Sequence, residues 1–211
     1  NDGQIGVNIY ATAVGPQYHA ASAHAYAYGV MQRAETDAGD ATADLTNTSM
    51  ESIDVSATAY AVGSSPHADA FATGASQDAV SLSGSAAAVV DNSGRISVAA
   101  YATASGTSHP EAFAVAKGVG QFASGFVADA YVENTGIIQA FAKSSSTSDI
   151  RAGSRAASNA VIQVVEGTVA DVTLINEELI DSTAVASAVA DNALAGAYAT
   201  AWGVIQSAIG D

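Results

Sequence analysis

The feature that most constrains this chain is an internal repeat that runs through its whole length. Each copy opens on an asparagine, usually within Asn-x-Gly-x-Ile. An isoleucine follows at the same position of every copy, at Ile5, Ile53, Ile96, Ile138 and Ile180. Such self-similarity predicts a repeat architecture in which each copy covers the apolar surface of the next. The copies span approximately residues 1–44, 45–89, 90–131, 132–173 and 174–211, and we expect them to form one domain over 1–211.

Between these landmarks, apolar and polar residues alternate. In the third copy Ile96, Val98 and Ala100 share one parity, whereas Ser97 and Tyr101 share the other. A period of two is typical of half-buried β-strands. The competing prediction is helix, because alanine is the best helix former. A helical period would scatter the polar residues over every face, so the parity favours strands.

The alanine content predicts how thick the core is. Alanine accounts for 49 of the 211 residues and aromatic residues for only 7%. Because alanine is depleted in ordinary strands, we expect opposing sheets that lie close together, with Ile and Val at the wider end. Small residues also recur at alternating steps of 20 and 24–25, at Gly29, Ser49, Gly74, Gly94 and Gly118.

These steps favour two coils per repeat. We therefore predict an all-β fold, a parallel β-solenoid (β-helix) of five ~42-residue repeats and about ten rungs. At ~4.8 Å per rung it would be roughly 45–50 Å long.

Charge and composition exclude several classes of function. Six Lys and Arg residues stand against 21 Asp and Glu residues, giving a formal charge of −15, which repels nucleic acid and anionic membranes. The chain has no cysteine, so disulfides, zinc–thiolate sites and thiol catalysis are excluded. No apolar run approaches the ~20 residues of a membrane span. The chain begins without Met, which we interpret as processing or excision.

Two recurring amides predict structural ladders along the stack. The first comprises Asn1, Asn47, Asn92, Asn134 and Asn176, and the second comprises Gln32, Gln77, Gln121, Gln163 and Gln206. Buried amides must be hydrogen-bonded, and stacked Asn side chains achieve this by bonding to one another. N-glycosylation at Asn47-Thr48-Ser49 is the alternative. The other copies lack the acceptor pattern, which favours the structural interpretation.

Several of the positions that alternate with the inward-facing alanines, and are therefore expected to face outward, are aromatic. These aromatic residues predict a contact surface. They are Tyr26, Tyr28, Phe71, Phe113, Tyr198 and Trp202. Exposed aromatic patches mark interaction sites, although the rings could simply cover one another as cross-strand pairs.

Other polar residues give weaker signals. His19, His67 and His109 share a Gly/Pro loop, but with two coils per repeat they would be ~9–10 Å apart, too far to share a metal ion. We expect them to be solvated. Acidic residues near the Asn turn match no calcium loop, so surface charge is favoured and weak calcium binding is the only cofactor expectation. They include Asp37, Asp40, Asp44, Asp129 and Asp171.

The repeat unit Asn-x-Gly-x-Ile-x-Val-x-Ala-x-Ala, followed by Ala-x-Ala-x-Gly-Val-x-Gln, resembles those of autotransporter-like, β-strand-repeat adhesins and fibre proteins of Gram-negative bacteria. The resemblance implies an extracellular, cell-surface structural role and supplies no catalytic residues. No Gly-x-Ser-x-Gly or His-Glu-x-x-His motif occurs, so we do not expect an enzyme.

Two functions remain as hypotheses. The first is a stalk or fibre subunit that self-associates through uncapped ends, as homopolymer or as part of a longer parent chain, and that serves adhesion or filament formation. The second is a ligand-binding face. Polysaccharide would bind through the aromatics, whereas ice binding is disfavoured by the mixed outward columns.

Overall fold

The computed structural model describes residues 3–16, 20–191 and 194–210, and these residues contain twelve β-strands and no helix. The strands are β1 Gln4–Val14, β2 Ser22–Thr36, β3 Ala41–Asn47, β4 Ser52–Gly63, β5 His67–Ser81, β6 Ser85–Asn92, β7 Arg95–Gly106, β8 Glu111–Asn134, β9 Ile137–Ser148, β10 Arg151–Asn176, β11 Leu179–Ala190 and β12 Leu194–Gly210. The all-β prediction is therefore confirmed, and the helical alternative is wrong.

The strands form two parallel sheets. Sheet 1 has the order β1-β4-β7-β9-β11, and sheet 2 has the order β2-β5-β8-β10-β12. Sheet 2 also contains β3 and β6, because β3 pairs with β6 and β6 pairs with the second half of β8. We call one strand of sheet 1, with the sheet 2 segments that follow it in the chain, a level. This arrangement of stacked levels is consistent with a parallel β-solenoid.

The register corrects the predicted number of coils. Neighbouring strands align Gln4 with Ser52, Ser52 with Arg95, and Arg95 with Ile137, so hydrogen-bonded partners lie a whole repeat apart. Two coils per repeat would pair residues about half a repeat apart, and that prediction is wrong. The 20- and 24-residue steps instead mark the two reversals within one wide level. Five strands in sheet 1 at ~4.8 Å spacing give a stack of roughly 20–25 Å, not 45–50 Å.

The core lies between the two sheets and is made largely of alanine. Ala57, Ala59 and Ala61 of β4 and Ala68 and Ala70 of β5 are all buried in one cluster. A smaller cluster lies where the second half of sheet 2 folds back on the first. It consists of Ala79, Ala86, Ala88, Ala123, Ala128, Ala130 and Val165. Side chains this small allow the layers to approach closely, as the composition predicted.

Two of the larger aliphatic residues, Ile96 and Val98, pack against a glycine of the facing sheet. A Cβ atom added to Gly74 would lie 2.7 Å from Cγ2 of Ile96 and 2.8 Å from Cγ2 of Val98. Ile96 is fully buried, and Val98 is nearly so. Close approach of the sheets therefore requires a glycine at position 74.

Candidate functional site

The asparagine ladder lies at the bend where sheet 2 passes into sheet 1. Nδ2 of Asn47 donates to Oδ1 of Asn92 over 2.7 Å, Asn92 donates to Asn134 over 2.6 Å, and Asn134 donates to Asn176 over 2.7 Å. Asn47, Asn92 and Asn134 are fully buried. Asn1 lies outside the described residues. Side chains that are buried and bonded in this way have a structural role, and Asn47 presents no exposed amide for a glycan.

The glutamine ladder connects the two layers of sheet 2. Nε2 of Gln77 donates to Gln32, Gln121 donates to Gln77, Gln163 donates to Gln121 and Gln206 donates to Gln163, over 2.8–2.9 Å. The Nε2 atoms of Gln77, Gln121 and Gln163 also lie within hydrogen-bond distance of backbone carbonyls of the folded-back segments, for example Tyr131 at 3.0 Å from Gln121. These three glutamines thereby tie adjacent levels and opposing strands together.

The two ladders have opposite polarity. Each asparagine donates to its neighbour in the following level, whereas each glutamine donates to its neighbour in the preceding level. In both ladders every interior amide has a donor and an acceptor partner. The buried polar groups are thus satisfied by repetition itself.

The predicted aromatic surface is only partly continuous. Tyr26 and Phe71 are stacked with ring centroids 5.1 Å apart, and Phe71 meets Phe113 edge-on at 5.4 Å. Tyr28 and Trp202 instead occupy the first and last positions of a neighbouring column and are separated by three intervening levels. The structure therefore brings together the group that contains Phe71 and Phe113, and it does not bring together Tyr28 and Trp202.

A polar cluster beside these aromatics was not recognised from the sequence. The Asp69 carboxylate lies 3.0 Å from Nδ1 of His24 and 2.9 Å from Nε2 of His67, while Nδ1 of His67 lies 3.5 Å from Glu111. His24 and Asp69 occupy equivalent positions in adjacent strands. The signal in the sequence was a His and an Asp at corresponding positions of the first two repeats, and these residues come into contact only when adjacent strands lie one repeat apart.

The histidine prediction also changes with the register. Because levels adjoin directly, equivalent loop positions are about 4.8 Å apart and not 9–10 Å. His67 pairs in register with Glu111, and His109 contacts its neighbour Ser108, so these two histidines do not form a shared site. His19 lies outside the described residues. Within the described ranges no cluster of three His, Asp or Glu residues has metal-binding geometry.

Beside these residues lies a groove of about 550 Å³ on the outer face of sheet 2, which we call the outer groove. It is lined by His67, Asp69, Phe71, Glu111, Ala112, Phe113, Gly153, Ser154, Arg155, Gly196 and Tyr198. Three of the residues predicted as a contact surface, Phe71, Phe113 and Tyr198, line the groove. A fourth, Tyr26, stacks on Phe71.

Of the acidic residues, Asp129 and Asp171 stand in register in adjacent strands. Partial burial and, secondarily, the charge of Asp171 raise the pKa of Asp129 above its ordinary value. The two carboxylates repel each other at neutral pH, and among the described residues no third His, Asp or Glu completes a metal-binding group with them.

Comparisons with protein-family models, with curated proteins and with solved structures find no match to this chain. Within the described residues, no helix has the length and apolarity needed to cross a lipid bilayer.

Proposed function

We propose that this chain is a non-catalytic structural protein, a stalk or fibre segment built as a closed parallel β-solenoid with one coil per repeat. The observation that carries the proposal is the state of the core at the two ends of the stack. Ile53, Ile96 and Ile138 are fully buried, whereas Ile5 and Ile180, their equivalents in the first and last levels, are only partly buried. Further levels of the same kind would complete their burial.

The two end faces are complementary in register. Ile180 of β11 belongs to the column that begins with Ile5 of β1, and Gln206 of β12 belongs to the column that begins with Gln32 of β2. The first level of one copy placed on the last level of another would therefore continue both the apolar columns and the glutamine ladder. A head-to-tail contact between different faces produces open filaments rather than closed rings.

The terminal strands also expose unpaired edges. β1 and β11 each have one neighbour in sheet 1, and the inward alanines of β12 are exposed although their equivalents in β5 and β8 are buried. Open edges of this kind favour strand addition. We propose that the occupant is a further level of the same kind, supplied by a second copy of the chain or by a longer parent chain.

The proposed location is outside the cell, at the cell surface, with adhesion or matrix formation as the role. It rests on the resemblance of the repeat unit to those of β-strand-repeat adhesins. A charge of −15 keeps the sides of such a fibre soluble and apart, so that association is directed to the ends.

Electron microscopy of the purified chain over a range of concentrations tests this proposal. We expect filaments that lengthen with concentration, whose diffraction shows a ~4.8 Å spacing along the filament axis. Particles that stay monomeric at all concentrations, with folded β-structure by circular dichroism, would contradict it.

A matched pair of variants identifies the contact. Ile180→Lys places a charge in the end-face core, where it can still reach solvent in the free chain, and we expect it to abolish filaments. Val185→Lys makes the same change on the outward, exposed side of β11, and filaments should persist. Equal loss in both variants would show that end stacking is not the mode of assembly.

A further inference from the structure

The outer groove exists because its column of side chains stops partway along the stack. That column consists of Ser22, His67, Glu111, Gly153 and Gly196, which stand in register. The two glycines leave open space beyond Glu111. Among the described residues, a Cβ atom added to Gly153 would meet nothing closer than 3.8 Å, and one added to Gly196 would meet only the Tyr198 ring at 3.7 Å. These glycines are therefore not required by packing, and their effect is to open the groove.

Aromatic rings provide the apolar wall of this groove. Phe71 and Phe113 contact each other edge-to-face, and Tyr26 stacks on the far side of Phe71 with the rings nearly parallel. Tyr198 is 68% exposed and has the Arg155 guanidinium 6.0 Å from its ring centroid. Rings braced by one another present flat apolar surface with little loss of conformational freedom on binding.

Polar groups converge on the same space. The two carboxylate oxygens of Asp69 are each held by an imidazole, one from His24 and one from His67. This fixes the orientation of His67 at the groove. Glu111 has a 71% exposed side chain, and Arg155 lines the groove next to it, so an acceptor and a donor group face the solvent together.

We propose that the outer groove is a binding site for a neutral saccharide, which stacks a sugar ring on the Phe113 and Tyr198 side and bonds its hydroxyls to Glu111, Arg155 and His67. A sugar ring has apolar C–H faces and a polar hydroxyl edge, and this groove offers the matching pair of surfaces. Its volume of about 550 Å³ lies in the range of small-molecule sites. The site goes beyond the proposed structural function and does not depend on it.

The charge of the protein selects a neutral ligand. The groove holds the carboxylates of Asp69 and Glu111 against the single guanidinium of Arg155, and the whole chain carries a charge of −15. The negative charge of the groove and the negative charge of the whole chain both disfavour uronic acids and sulfated or phosphorylated sugars. A cationic ligand would be attracted by the carboxylates, but the guanidinium of Arg155 would repel it.

The test is binding of defined neutral oligosaccharides of glucose, galactose and mannose, first on an array and then by saturation-transfer NMR and calorimetry. We expect at least one neutral oligosaccharide to bind and its uronic-acid counterpart to bind more weakly. If no neutral oligosaccharide binds, or if anionic or cationic probes bind more tightly, the proposal is overturned.

Variants locate the site. Phe113→Ala removes part of the wall, and Gly153→Val fills the groove at a position where an added Cβ would lie no closer than 3.8 Å to any described residue. Each change should weaken binding at least tenfold. Phe141→Ala is the matched control, because Phe141 is an outward aromatic on sheet 1 that packs against Tyr101, 5.7 Å away. Its affinity should match that of the unaltered chain. If Phe141→Ala loses affinity and Gly153→Val keeps it, the outer groove is not the site.

Discussion

Nε2 of Gln121 donates to Oε1 of Gln77 over 2.9 Å, although the two residues are 44 positions apart and both side chains are almost fully buried. Gln121 in turn accepts from Gln163, and its Nε2 also lies near the carbonyls of Ala88 and Tyr131. A single amide therefore joins three levels and both layers of sheet 2.

Gln121→Leu tests how much this ladder stabilises the fold. The change leaves Oε1 of the buried Gln77 without its donor, and it removes one hydrogen-bond contact each from Nε2 of Gln163 and from the carbonyls of Ala88 and Tyr131. An unsatisfied buried group costs about 1–3 kcal/mol and a lost hydrogen bond about 0.5–1.5 kcal/mol, so we expect the free energy of unfolding, measured in urea, to fall by about 3 kcal/mol. Gln206→Leu is the control, since Gln206 is exposed in the last level and, among the described residues, bonds to Gln163 alone. Only Oε1 of Gln163 loses a partner, so the loss should be smaller, about 1 kcal/mol. Equal losses would contradict a cooperative ladder.

Gly74→Ala tests the close approach of the sheets. The new Cβ would lie 2.6 Å from the carbonyl oxygen of Gly118 and 2.7 Å from Cγ2 of Ile96, so backbone must move. We expect a loss of about 1–3 kcal/mol in unfolding free energy, as for overpacking of a core. Gly203→Ala changes the equivalent residue of the last level, where no atom of the described part of the chain lies within 4 Å of the added Cβ, and this change should be nearly neutral. A neutral Gly74→Ala would mean that the layers can separate at little cost.

Ser146→Ala should stabilise the protein. Ser146 replaces the alanine found at Ala104 one level below, and its buried hydroxyl has no hydrogen-bond partner in the described part of the chain. Removing it relieves a desolvated group, so we expect a gain of about 1 kcal/mol in thermal or urea unfolding. Ser144→Ala is the control, because Ser144 is bonded to Ser154 over 2.6 Å and its loss should destabilise. Destabilisation by both changes would indicate a partner for Ser146.

Asp129→Asn should stabilise the protein at neutral pH and not in acid. Burial, with a smaller effect of Asp171, raises the pKa of Asp129 in the folded state. The folded state therefore holds the proton more tightly, and its stability falls as pH rises from the ordinary Asp value through the raised pKa.

Like-charge neighbours across strands cost about 0.2–1 kcal/mol, and partial exposure places this pair towards the low end of that range. Urea unfolding at pH 3 and pH 7 measures the effect. Asp181→Asn, an exposed change on sheet 1, is the control and should give a smaller gain. A gain for Asp129→Asn that is equal at both pH values would contradict the charge explanation.

Much of the fold could be predicted because it depends on local pattern. The alternation of Ile96, Ser97 and Val98 specifies which side chains face inward, and strands buried on one face require that pattern. The repetition of Asn and Gln in phase indicated which polar residues stack. These properties are present in each repeat separately, so the sequence shows the same pattern five times.

The sequence by itself determined that the chain forms β-strands, which side chains of each strand face inward, and that the core is made of alanine. The tertiary structure alone decided how far apart along the chain hydrogen-bonded partners lie. Small residues at 20- and 24-residue steps are compatible with two narrow coils per repeat and also with the two chain reversals of one wide level. The local sequence of a turn is the same in both arrangements. Only pairing between distant backbones, such as Ser22 with His67, distinguishes them. That same register created the contact of His24 with Asp69 and the groove above Gly153, since neither exists until residues a whole repeat apart become neighbours.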